Sequence, residues 1–172
     1  MGRVVVGVDG SAGSLEALRY ALGQARRLDA TLIPVYAWQL PGGEVAARRA
    51  PSASYARMVR ELAEQQLIRA FEEGLGGLPA DVVAEPWLVR GAAGPALVEA
   101  ADRHHDLLVV GAGRRGRLRH PVHAGTVRYC LAHAVCPVVA VPPPTLQAEI
   151  PTQLRLRASA DRLAHELTHA RR

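Results

Sequence analysis

The chain contains no lysine, and all 21 of its basic residues are arginine. That excludes every mechanism built on an amine, including Schiff-base chemistry and the phosphate-contacting lysine of a Walker A loop. Aromatic residues make up only 4% of the composition against 49% hydrophobic residues, so the core has to be assembled from Val, Leu and Ala. Such a core suits strands sandwiched between helices rather than an aromatic-rich barrel. Cysteine is limited to Cys130 and Cys136, a spacing that is neither a metal-ligand pair nor a redox C-x-x-C and that gives no disulfide framework. There is no signal-peptide pattern, and no apolar run reaches the roughly 20 residues that cross a bilayer. The expectation is a cytoplasmic protein with reduced thiols and no membrane partner.

What is present fits one domain with an appendage, since 172 residues exceed the roughly 100–150 that a single core most often serves. The formal charge of +5 invites a nucleic-acid reading. The arginines are spread along the chain, however, apart from Arg114, Arg115, Arg117 and Arg119, and a solvated helical surface accounts for them. Nucleic acid is not the expected partner.

Along the chain, helical and extended patterns alternate. Apolar strands are predicted over residues 3–8, 31–38, 81–89, 106–110 and 137–141, and helices over 14–28, 55–75, 94–104 and 126–134. Residues 39–54, with Pro41, Gly42, Gly43 and Pro51, read as a long loop. Pro86 puts the third strand at a sheet edge, because proline cannot donate to a ladder. Parallel strands need helical crossovers, so the order βαβαβαβαβ predicts a doubly wound α/β fold with helices on both faces. Pro142-Pro143-Pro144 closes that unit. The expected domains are residues 1–144 and a C-terminal extension, 145–172, with an amphipathic helix over about 153–170 carrying Leu156, Leu163 and Leu167 on one stripe.

Two distant segments carry the chemistry. Val4-Val5-Val6-Gly7-Val8-Asp9-Gly10-Ser11 and Leu107-Leu108-Val109-Val110-Gly111-Ala112-Gly113-Arg114-Arg115-Gly116, the latter followed by Gly125-Thr126, are apolar strands that run into glycine-containing turns before helices. That geometry gathers backbone N–H groups where a phosphate is well received. The same residues also admit a purely structural reading, in which the glycines make tight turns, Asp9 caps the first helix and Thr126 caps the fourth.

Two further motifs are set aside. Gly111-Ala112-Gly113-Arg114-Arg115-Gly116 matches G-x-G-x-x-G, but it follows the fourth strand and lacks the acidic residue about 20 positions on that a dinucleotide site needs. His165-Glu166-Leu167-Thr168-His169 matches H-E-x-x-H, which on a helix presents two imidazoles to zinc. Only three residues follow it, and no third ligand is evident. A solvated helix face is the expected reading, and no metal site is assigned.

The two strand–turn segments, together with Ala30-Thr31-Leu32 leading to Ala37-Trp38, Leu88-Val89-Arg90-Gly91 and the stretch from Leu107 to Pro142, resemble the universal stress protein family. The resemblance spans roughly residues 2–142. The signature of that family's ATP-binding branch is G-x2-G-x9-G-[ST], and this chain departs from it. With Gly113 and Gly116 in the first two places, eight residues precede Gly125; starting from Gly111, Arg114 fills the second place and ten residues intervene.

The resemblance implies a five-stranded parallel sheet of order 3-2-1-4-5 and an adenine-nucleotide site for ATP, with Mg²⁺ as its usual companion. In that site Gly7, Val8 and Asp9 form the nucleoside wall and the Ala37 backbone reads the base. Gly111, Gly113 and Gly116 form the phosphate loop, Arg114 adds charge, and Gly125, Thr126 and Val127 supply a helix entrance. It also implies a stress-response sensor or regulator with at most slow ATP hydrolysis, and a homodimer through Val138–Val141. The alternative is a nucleotide-free dimeric scaffold on the same fold.

Overall fold

The computed structural model describes residues 2–40, 52–112 and 121–144, with the backbone alone over 121–124. Five strands, β1 (Arg3–Gly7), β2 (Thr31–Trp38), β3 (Trp87–Arg90), β4 (Leu107–Gly111) and β5 (Val138–Val141), alternate with four helices, α1 (Ala12–Leu28), α2 (Ala53–Leu75), α3 (Ala93–Ala100) and α4 (Pro121–His133). The strands form one parallel sheet in the order β3-β2-β1-β4-β5. The winding direction reverses between β1 and β4, as the doubly wound expectation requires. The predicted helix over 153–170, and with it His165 to His169, lies outside the described residues.

Alternation along the strands sorts the core into two layers. Val4, Val6, Val8, Leu32 and Val109 face one side, where they bury the apolar stripe of α1 (Ala17, Leu18, Ala21, Leu22, Ala25) and Ala70 of α2. Val5, Ile33, Val35, Leu108 and Val110 face the other, against Leu97, Ala100 and Ala101 around α3 and Cys130 of α4. Burying each such Val or Leu contributes about 1.5–3 kcal/mol. Both cysteines are buried thiols within this second layer, and burial pushes the Cys130 thiol up to about 11, so both are chemically quiet.

The third strand is shorter than its sequence pattern suggests, for a reason that lies in its neighbour. Leu32 bridges Ala84 and Val35 pairs with Trp87; both pairs differ by 52 positions (84 − 32 and 87 − 35), so Pro34 stands opposite Pro86. The side of β2 that faces β3 is set by the Leu32 N–H, which donates to the Val83 carbonyl at 2.9 Å. Two residues on, Pro34 has no N–H to continue the ladder. The two prolines therefore share one interruption, and β3 begins after it as an edge strand.

Helix α1 begins two residues earlier than its apolar periodicity indicates. Ser11 is the N-cap and its hydroxyl accepts from the Ser14 N–H at 3.2 Å. Helix α2 is long, and its buried positions run only from Ala63 to Gly74. Its first turns, with Tyr55, Met58 and Leu62 exposed, extend past the level at which Gln66 approaches Gly10. It ends at Gly76 in the left-handed region, φ 76°, where the Gly76 and Gly77 N–H groups close onto Glu72 and Phe71 carbonyls.

Candidate functional site

The site is a notch left where β1 stops before its neighbours. The β1–β2 ladder ends at Gly7↔Val35 while β2 runs on to Trp38, and the β1–β4 ladder ends at Val6↔Val109 while β4 runs on to Gly111. Successive residues of a strand direct their peptide groups to opposite sides in the sheet plane. Leu32 donates toward β3, and the Val35 carbonyl accepts the Val8 N–H at 2.9 Å on the β1 side. Counting by two, Ala37 also faces the β1 side, beyond the last rung. On the other flank Leu108 and Ala112 donate to Pro137 and Val141 carbonyls, toward β5, so Gly111 faces β1. The main chains of Ala37 and Gly111 thus look at each other above the end of β1, two strand spacings apart, or roughly 10 Å.

Val8 and Asp9 form the floor. Val8 is buried in the α1 layer, and the chain then turns through Gly10, whose φ of 78° lies where side chains are strained. An Asp9 carboxylate oxygen accepts the Ser11 N–H at 2.9 Å. The buried Ser14 hydroxyl accepts the Asp9 N–H at 3.3 Å and donates to the Ser11 carbonyl at 2.9 Å. Asp9 therefore fastens the turn before the helix, and the cap is Ser11. Asp9 itself is exposed at the rim. Nearby, the Tyr36 phenol is raised from its ordinary value first by burial and then by the negative charge of Asp9.

The two segments of the sequence meet here in direct contact. A Cβ on Gly111 would lie 2.8 Å from the Gly13 carbonyl oxygen in the first turn of α1. Glycine at this position is a packing requirement and not a sign of phosphate by itself. In place of the expected row of amides, the Val8, Asp9, Ser11, Ser14 and Ala112 N–H groups around these turns already donate within the protein.

Gly113, Arg114 and Gly116 lie outside the described residues. Gly125, Thr126 and Val127 do not form a helix entrance: α4 starts at Pro121, so these residues occupy its second turn, where N–H groups are spent on the helix itself. Thr126 is a good N-cap type, while Pro121, an equally good first-turn residue, sits in a stretch with little apolar periodicity, so the sequence pattern places the helix start too late. Gly125 opens instead onto a shallow groove of about 530 Å³ on the outer face of α4, shared with Arg128, Tyr129, Leu131, Ala132 and His133.

Two features were missed from sequence. The Ser11-x-x-Ser14 pair that sets the start of α1 carries a legible signal, a hydroxyl three positions ahead of its partner. The placement of the Arg90 guanidinium over the Trp38 ring, 5.6 Å to its centroid, has none, because it depends on the register Trp38↔Arg90.

An open parallel sheet wound both ways from its centre, with a notch at the reversal, defines a doubly wound α/β protein of the kind that receives ligands at the carboxyl ends of its strands. The universal stress protein family profile matches residues 1–142, and the chain belongs to that family. No curated protein matches it. Among solved structures it is similar to a universal stress protein in complex with cAMP, at 26% identity over 81% of this chain and 95% of that one, with a TM-score of 0.51. It is also similar to universal stress protein UspA from Lactobacillus plantarum (19% identity, 81% and 97% covered, TM-score 0.57). A universal stress protein from Archaeoglobus fulgidus gives 21% identity, 82% and 98% coverage and a TM-score of 0.52. The last two share the fold.

Proposed function

We propose that the chain binds an adenine nucleotide in the notch above β1, with ATP and Mg²⁺ as the leading ligand, and acts as a cytoplasmic stress-response sensor or regulator. The observation that carries this reading is the pair of inward-facing main chains at Ala37 and Gly111 above a strand that stops short. A base edge pairs with strand-like peptide groups as another strand would, and Ala37 offers them on the correct side. Asp9 then stands under the ribose, and its carboxylate is the described group placed to accept from sugar hydroxyls or to hold a phosphate-bound cation. The cAMP complex of a related protein supports the same ligand class. The phosphates fall to the segment from Gly111 through Gly113, Arg114 and Gly116, where an arginine makes charge-assisted contacts.

Catalysis is not part of this reading. With no lysine in the chain an amine base is excluded. β5 stands at the sheet edge with Ala140 exposed, which supports a homodimer through Val138–Val141 by pairing of two copies. No helix among the described residues is long and apolar enough to cross a membrane.

The amides already spent around the turn favour a second reading, a dimeric scaffold that takes no nucleotide. Equilibrium dialysis with AMP, ADP, ATP and cyclic AMP, paired with thermal shift, decides between the two, because a ligand of the native state raises Tm by mass action. Saturable binding weakened about tenfold or more by Asp9→Ala, the loss of one charge-assisted contact, supports the nucleotide reading. No binding at millimolar nucleotide hands the fold to the scaffold.

A further inference from the structure

We infer that Trp38, held by Arg90, is the stacking platform for the base of the bound nucleotide. This rests on the nucleotide reading above and adds what grips the base. Ala37 reads a base edge in the plane of the sheet, so the two faces of the base look toward the two helical layers. Trp38 is the next residue of β2. Alternation puts its side chain on the α1/α2 face with Leu32, at the open end of the strand and half-buried.

The indole is not loose there. Arg90, its register partner on β3, lies over the ring at 5.6 Å from the centroid, and the backbone beneath is tied by the Gly91 N–H donating to the Trp38 carbonyl at 2.9 Å. A ring fixed before the ligand arrives costs little further ordering on binding, and guanidinium and indole planes both stack on nucleobases. The spacing agrees. The base over β2, the sugar over Asp9 at β1 and the phosphate at the end of β4 span two strand intervals, roughly 10 Å, which is the length of a nucleoside monophosphate.

Stacking ignores the identity of the base and needs one to be present. The platform therefore discriminates nucleotides from sugar phosphates, while Ala37 selects among bases.

The test uses the only two tryptophans, Trp38 and Trp87. In Trp87→Phe the emission reports on Trp38 alone, and titration with AMP is expected to quench it with the same Kd that dialysis gives. Trp38→Ala is expected to raise the Kd for AMP about 5- to 100-fold and to leave that for ribose 5-phosphate unchanged. Arg90→Gln should raise the AMP Kd less. If Trp87→Phe fails to fold, the difference in quenching between wild type and Trp38→Phe gives the same readout. AMP bound by dialysis with no change in Trp38 emission, and with equal affinity in Trp38→Ala, overturns the platform and leaves the nucleotide site standing. No AMP bound by dialysis overturns both.

Discussion

The two ends of the sheet are built on opposite principles. At the amino end, charge is buried and fully answered: Arg3 on β1 makes ion pairs with Asp106 and Asp102, its Nε donating to Asp106 Oδ1 at 3.0 Å, and the Arg103 N–H donates to Asp106 Oδ2 at 3.1 Å. The Asp106 side chain is wholly buried. At the carboxyl end the chain uses glycine, serine and an exposed aspartate, and leaves two lengths of strand main chain facing a gap. The amino end locks β1 to the loop before β4. The carboxyl end leaves a notch where β1 stops before β2 and β4.

The largest test of this contrast removes the lock. Asp106→Ala strands the Arg3 guanidinium with much of its pairing gone, and loss of one partner from a buried pair costs about 3–5 kcal/mol. Urea unfolding should show a lower midpoint with unchanged slope. A loss under about 1 kcal/mol would mean that Asp102 alone satisfies Arg3.

At the carboxyl end, Gly111→Ala forces a methyl to 2.8 Å from the Gly13 carbonyl, and overpacking of this kind costs about 1–3 kcal/mol. It should also move the first turn of α1 and so weaken the proposed nucleotide binding, whereas Asp106→Ala should leave the affinity of the remaining folded protein unchanged. Equal effects of both on affinity would erase the distinction between the two ends. Ser14→Ala follows at about 1–2 kcal/mol, since the Asp9 N–H and the Ser11 carbonyl each lose a partner, with Tm as the readout.

Much of the fold was legible because its signals are local. Val4-Val5-Val6 and Leu107 to Val110 are apolar runs that only a strand covered on both faces accommodates, and Pro86 marked the edge correctly. The strand order entered through family resemblance, and the observed ladders agree with it. What escaped depends on partners far away in sequence. The break before β3 comes from Pro34 on the neighbouring strand, which lacks the N–H that the ladder would use there, the requirement for glycine at Gly111 comes from Gly13, and the Arg90–Trp38 contact exists only once β2 and β3 are paired. For the site, the residues brought forward from sequence that the structure describes, Val8, Asp9, Ala37 and Gly111, lie around the notch at the carboxyl ends of β1, β2 and β4. It misjudged α4, where Gly125 to Val127 belong to the helix body.

The smallest effect separates the two exposed and buried carboxylates of the amino end. The Arg3 guanidinium, hydrogen-bonded to it, holds the exposed Asp102 carboxyl below its ordinary value. A depressed folded-state value means that the unfolded chain binds the proton first as pH falls, so this stabilisation is complete above the unfolded value near 4 and is lost as pH drops through the folded one. Tm measured from pH 6 down to pH 2 should therefore fall a little more steeply in wild type than in Asp102→Asn, with the curves converging at the acid end. Because Asp102 is solvent-exposed the separation is small and should shrink further in 0.5 M salt. A salt-independent separation would place the effect of Asp102 in the packing of the α3–β4 loop, and the charged lock would then reduce to Arg3 and Asp106.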